Sequence, residues 1–202
     1  MVTISRALRL MPAVVLVLGL TACTDDDPGS GKGTPASSAA ETTAGTSETT
    51  STAPETPSVE PATGKELSVA TVSMRLTDSP GWSVTETAVI VVASLHPDTG
   101  GTLNVTVQDA PNLPGRDTDD KAESFERTLS TEPAAPKRVE NRVVDGVDCF
   151  VLDGRNDDIH HYVVGAVVGD QLFLLQFRVP AGLADGDQMI EQMLASVDIK
   201  GA

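Results

Sequence analysis

Apolar and polar positions divide this chain into three zones. Met11 to Leu20 is an unbroken apolar run. Residues 24 to about 66 carry almost no aliphatic side chain apart from Val59. From Leu67 onward apolar and polar residues alternate in short blocks separated by turn chemistry. Ser68 to Leu76 alternates with period two and predicts a half-buried strand. Asp78-Ser79-Pro80-Gly81 predicts a turn, with Trp82 after it. Thr87 to Leu95 is continuously aliphatic and β-branched, a buried strand, and Thr102 to Val107 alternates again beyond the turn at His96 to Gly101.

Ala122, Phe125 and Leu129 recur at helical spacing, so a helix is predicted from about Asp119 to Leu129. Asp117, Asp119 and Asp120 sit at the positive end of its dipole. Four strands follow: Arg138 to Val144, Val147 to Leu152, Ile159 to Val168 and Leu172 to Val179. The first pair is joined by Asp145-Gly146, a strong two-residue hairpin signal. A last helix runs from Asp187 to Val197, with Asp185 and Gln188 spaced as a capping box and Met189, Ile190, Met193, Leu194 and Val197 on its apolar face. Three strands, a helix, four strands and a helix predict an α+β domain. Its antiparallel sheet of about six or seven strands carries helices packed on it, and with both faces covered the layers are α/β/α.

The first zone adds an address. Arg6 and Arg9 precede the apolar run, which at roughly ten residues is too short to span a bilayer. Leu20-Thr21-Ala22-Cys23 then has the form of a lipobox, in which the Cys23 thiol takes a diacylglyceryl group before cleavage. The expected organisation is a lipoprotein signal peptide at 1–22, lipidated Cys23 with a disordered Ser/Thr/Pro-rich linker over 23–66, and a globular domain at 67–202. Acyl chains contribute about 0.8 kcal/mol per buried methylene, so Cys23 is expected to hold the protein at the extracytoplasmic face of the cell membrane. The linker cannot bury enough apolar surface to order itself. At about 5–6 Å times the square root of its length it reaches roughly 35 Å, and its Ser, Thr and Pro content permits O-glycosylation.

Charge narrows the partners. The chain has 14 basic and 29 acidic residues, a net charge of −15. Removing Arg6 and Arg9 with the signal makes it more acidic still. Phosphate backbones are repelled, which argues against nucleic acid, and anionic headgroups are kept at a distance. Cys149, the only other cysteine, loses its one possible disulfide partner once Cys23 is lipidated. It lies in a largely apolar run and reads as a small buried hydrophobe.

The domain's motifs, taken together, resemble a known family. Pro80-Gly81-Trp82 after the first strand, Val144-Asp145-Gly146, the strand bearing Tyr162, the apolar strand Leu172 to Phe177 and the closing Leu194-Ala195-Ser196-Val197 resemble the Mog1/PsbP-like fold. With the lipobox and linker they are similar to actinobacterial LpqN/LpqT-type lipoproteins. The resemblance implies an α/β/α sandwich and a non-enzymatic role in the cell envelope, accessory to envelope lipid transport through contact with transport proteins. It supplies no catalytic residues and no cofactor.

Candidate chemistry is sparse. Gly29 to Thr34 lacks the spacing of a phosphate-binding loop. Asp117, Asp119, Asp120 and Glu123 fail as a calcium loop, because Ala122 and Thr128 stand where glycine and glutamate belong. They are explained better as a helix start, and the acidic turn Asp153 to Asp158 as turn chemistry. His160 and His161 are adjacent on a strand and point to opposite faces. No G-x-S-x-G elbow supports a nucleophile. Trp82 is either a core or rim anchor under its turn, or a wall of a ligand or partner surface. The sequence therefore favours a membrane-anchored binding or adaptor module. Its partner would be an envelope protein or an apolar envelope metabolite, at a cleft between sheet and helices near Trp82. A hydrolase of envelope components, which requires His96, His160 and His161 to converge with carboxylates, and a metal or small-solute binding module are the alternatives.

Overall fold

A computed structural model describes residues 59–201; the lipobox with Cys23 and most of the predicted linker lie outside them. The elements in chain order are β1 (Glu66–Ser68), β2 (Val72–Arg75), β3 (Ser83–Glu86), β4 (Ile90–Leu95), β5 (Leu103–Pro111), α1 (Thr118–Thr128), β6 (Lys137–Val144), β7 (Val147–Arg155), β8 (Ile159–Val168), β9 (Gln171–Pro180), α2 (Gly186–Leu194) and β10 (Asp198–Ile199). Seven strands form one sheet in the order β3-β4-β5-β9-β8-β7-β6, and three form a second in the order β1-β2-β10. Every pairing is antiparallel. The fold is α+β, as the residue pattern predicts.

Strict alternation sorts the strand side chains into two cores. Cys149 and Val151 of β7, Val164 and Ala166 of β8, and Phe173, Leu175 and Phe177 of β9 face one side. There they pack with Val105 and Val107 of β5, with Leu67, Val72 and Met74 of the small sheet, and with Ile190 and Met193 of α2. Phe150, Leu152, Val163, Leu172 and Leu174 face the other side and pack under Ala122, Phe125 and Leu129 at α1. The large sheet thus lies between α1 on one face and the small sheet with α2 on the other. Burying each Phe or Leu contributes roughly 1.5–3 kcal/mol. Asp145 and Gly146, both at positive φ, close the β6–β7 hairpin as its two-residue turn requires.

Four expectations need correction. Ser68 to Leu76 is two strands, not one. The chain turns back after Ser68, with the Val69 amide donating to Val72 O at 3.0 Å. Thr71, in that turn, donates from its amide and its hydroxyl to buried Asp109 Oδ2 at 3.1 and 3.3 Å. These charge-assisted bonds hold the turn. The aliphatic run at Thr87 is also interrupted. The Thr87 hydroxyl bonds both the carbonyl and the amide of Ile90, so β4 starts only at Ile90.

The helices differ in their caps. α1 is capped by Asp117, which accepts from the Asp120 amide at 2.9 Å while Asp120 accepts from the Asp117 amide at 3.3 Å. The predicted Asp185–Gln188 box does not form. Asp185 precedes α2 at φ −97°, ψ 11°, outside the extended region a capping side chain needs, and makes no capping bond. A tight turn starts the helix instead, with the Gly186 amide bonding Leu183 O at 3.0 Å. Finally, the domain begins before Leu67: Ala62 is buried and its amide donates to Gln192 O at 2.8 Å. Among the described residues, no helix is long and apolar enough to cross a membrane.

Candidate functional site

β6 is one of the two edge strands of the large sheet, and α2 lies beside its end. Between them runs a cleft of about 730 Å³. Val144, Leu194, Ala195 and Val197 give it apolar walls, Val143 borders it at the strand edge with its side chain turned to the opposite face, Val59 and Pro61 close one side, and Arg142, Asp145 and Glu191 supply charge. The helix forms this wall because its apolar positions are split. Met189, Ile190 and Met193 turn into the core, while Asp187 and Glu191, one turn apart, stay on the flank facing the strands.

That flank is fastened by ion pairs. Arg142 holds Glu191 through two bonds of 2.9 Å and reaches the Tyr162 hydroxyl at 3.2 Å. The fork matches the carboxylate plane, and Glu191 keeps the Arg142 guanidinium more firmly protonated than usual. Burial raises the Tyr162 hydroxyl above its ordinary value, so it stays a donor and acceptor. Farther along, Asp187 binds Arg155 at 3.0 and 3.1 Å. It also lies 2.9 Å from His160 Nδ1, while His160 Nε2 lies 3.1 Å from Asp153. The hydrogen bonds from Arg155 pull the Asp187 carboxyl below its normal range. Asp153, Arg155, His160, Tyr162, Asp187, Ile190 and Glu191 line a second cleft of about 290 Å³, which meets the first at Glu191. All the charged groups here have partners, and among the described residues no serine, threonine or thiol lines either cleft. The arrangement can recognise and hold a partner through its charged and aromatic groups.

Sequence-singled residues fall elsewhere. Trp82 leads into β3, partly buried against the core, with its indole N–H unpartnered. It lines neither cleft. His96 is exposed in the β4–β5 turn. His160 faces α2, whereas His161 faces the α1 side, where the Gln176 amide nitrogen lies 2.6 Å from its Nε2. Burial, aided by the Arg178 charge, lowers His161 from 6.5 to about 4. The three histidines therefore do not converge. Cys149 is free and fully buried, and burial raises its thiol to about 12. Asp119 pairs with Arg138 at 2.7 Å, and Asn156 caps the acidic turn by accepting from the Asp158 and Ile159 amides. Among the described residues, no three His, Cys, Asp or Glu side chains are placed to hold a metal ion.

Sequence reading missed Arg142, Glu191, Asp153 and Asp187. The signal that was available is that both α2 acids sit at i, i+4 on a helix flank and both arginines on β6 and β7.

No family model matches this chain, and no curated protein does. Solved structures of similar fold include the cyanobacterial PsbP (CyanoP) of Synechocystis sp. PCC 6803. It is 14% identical, covers 63% of this chain and 86% of its own, and has a TM-score of 0.47. A protein of Bacteroides thetaiotaomicron is 15% identical over 68% of this chain, with a TM-score of 0.43. The match spans about half of that protein's own length, 48%. At these identities the likeness concerns the fold alone.

Proposed function

We propose that this chain is a lipid-anchored, extracytoplasmic binding or adaptor module of the cell envelope. The β6–α2 cleft, rather than the Trp82 surface, is its contact site. The observation that carries this reading is the cleft itself: a partly apolar trough beside an edge strand, floored by a satisfied Arg142–Glu191 pair. The lipobox at Leu20 to Cys23 and the polar segment behind it support a tether that keeps the domain near a membrane. The partner is an envelope protein or an apolar envelope metabolite, and the LpqN/LpqT-type resemblance, with its accessory role in envelope lipid transport, belongs to the same reading.

Crosslinking in intact cells tests it. A photoreactive residue is placed at Val143 and, for comparison, at Trp82. Capture of an envelope component from position 143, lost when Cys23→Ala releases the protein from the membrane, is the expected result. If neither position captures protein or lipid, and none co-purifies with the domain, the adaptor reading falls.

A further inference from the structure

The two halves of β6 are treated differently. Edge strands expose unpaired backbone amides and carbonyls, and proteins commonly blunt them with charge and bulges. The first half of β6 carries both devices: Lys137, Arg138 and Glu140, and a break in register between Val139 and Arg142. The second half has no bulge, and its one charge, Arg142, is turned toward Glu191. Arg142, Val143 and Val144 pair regularly with Cys149, Asp148 and Val147. Among the described residues β6 has no strand on its outer side. Val143 is 69% exposed, the most exposed large hydrophobic residue of the described chain. Leu194 at the end of α2, with Ala195 and Val197 after it, stands across the cleft from this stretch.

A free edge with a helix beside it is the geometry in which an extended peptide is added to a sheet. Main-chain bonds to the edge give affinity, and alternate side chains enter the groove. Charge selects the peptide. Arg142 is consumed by Glu191, so among the described residues the cleft offers no free cation. Asp145 lines it, and exposed Asp198 follows the lining residue Val197, on a chain with a net charge of −15.

We propose that the β6–α2 groove binds a short extended polypeptide segment of a protein partner, by strand addition at Arg142–Val144, with apolar side chains at alternate positions and Lys or Arg between them. This rests on the adaptor reading above and names its partner class.

The test uses the domain with two synthetic heptapeptides of alternating valine, one interleaved with lysine and one with glutamate. Amide chemical shifts of the protein are followed during titration. The expected result is saturable shifts at residues 142–144 and 194–197 with the lysine peptide, weakening as salt rises. Three changes should each weaken binding about tenfold or more: glutamate for lysine, proline at the peptide's centre, and Val143→Ser in the protein. Val143 is exposed, so that variant should keep its fold, and an unchanged melting temperature confirms it. The strand-addition proposal is overturned by a proline peptide that binds as well as the original, by equal binding of both charges, or by shifts elsewhere on the domain. Dodecanoate shifting the groove residues when neither peptide does overturns it in favour of an apolar metabolite. If the peptides fail while crosslinking at Val143 still captures a partner, the adaptor reading stands and this proposal alone falls.

Discussion

His160 and His161 are consecutive residues held in opposite chemical settings on the two faces of one sheet. His160 sits between the carboxylates of Asp153 and Asp187, at 3.1 and 2.9 Å, on the α2 side. Both ring nitrogens face carboxylate oxygens. His161 is fully buried on the α1 side, with Nε2 beside the Gln176 amide and Nδ1 unpartnered. That environment suits the neutral ring.

His161 therefore makes the fold acid-sensitive. Its pKa is lowered from 6.5 to about 4 by burial first and the Arg178 charge second. Between those values the unfolded chain binds a proton that the folded chain excludes, so stability rises with pH through this window and is lost as pH falls from 6.5 toward 4. At 1.36 kcal/mol per pKa unit the loss is at most about 3 kcal/mol. Urea midpoints measured at pH 7, 6, 5 and 4 should fall steadily, and His161→Gln should flatten the trend. A midpoint that is constant down to pH 4.5 in the parent protein contradicts this.

Asp187 acts at lower pH. Its carboxyl is pulled below 3.8, chiefly by the Arg155 hydrogen bonds. Its contribution is present above the unfolded value and disappears as pH falls through the lower folded one. The side chain is 62% exposed, so Asp187→Asn should cost no more than about 1 kcal/mol at neutral pH. The more telling readout is hydrogen exchange: amides of α2 should lose protection while those of β5 and β9 do not.

The Cys149 thiol should be inert in the native state. It is fully buried and raised to about 12, by burial and then by the Asp148 charge. Thiolate reagents should label it only on unfolding, at a rate that follows the unfolded population across a urea titration. Labelling of the folded protein within minutes at pH 8 would mean that the β6–β7 hairpin opens locally.

Gly165 should tolerate no side chain. A Cβ there would lie 2.8 Å from Phe150 Cζ, Leu174 Cδ2 and Phe173 O. The two side chains belong to the core under α1 and the third atom is backbone, so the clash cannot be relieved at a side-chain tip alone. Gly165→Ala should cost about 1–3 kcal/mol by overpacking, read as a lower thermal midpoint. Gly146→Asn, at a turn position with φ 78° and open space around it, should cost much less.

Where the sequence was legible, one signal dominated. β5 and the β6–β7 hairpin could be read because alternation and the Asp145-Gly146 turn agree. β3 could not, since Ser83-Val84-Thr85-Glu86 is an edge strand with little to bury, so its residues carry no apolar signature. The break within Ser68 to Leu76 depends on Asp109, 38 residues away, satisfying Thr71. The site was hidden for the same reason. Arg142 and Glu191 are 49 residues apart, and each in isolation reads as an ordinary solvated charge. Cys149 was legible because Phe150-Val151-Leu152 after it and Val147 two residues before it place a thiol in a core whatever the topology.

β2 takes β1 as its neighbour on one side and β10 on the other, so the beginning and end of the described chain are stitched through one strand. Lys200 strengthens the stitch, its amide donating to Thr71 O at 2.8 Å and its ammonium reaching Ser68 Oγ at 3.0 Å. Mechanically this makes the domain a clasp. A pull on the chain ahead of Val59 loads it on its way into β1, and the strand that resists is held in turn by Asp198 to Lys200. Clipping Asp198 to Lys200 should therefore lower the force needed to extract the domain's first strand, although the cut lies at the opposite end of the sequence.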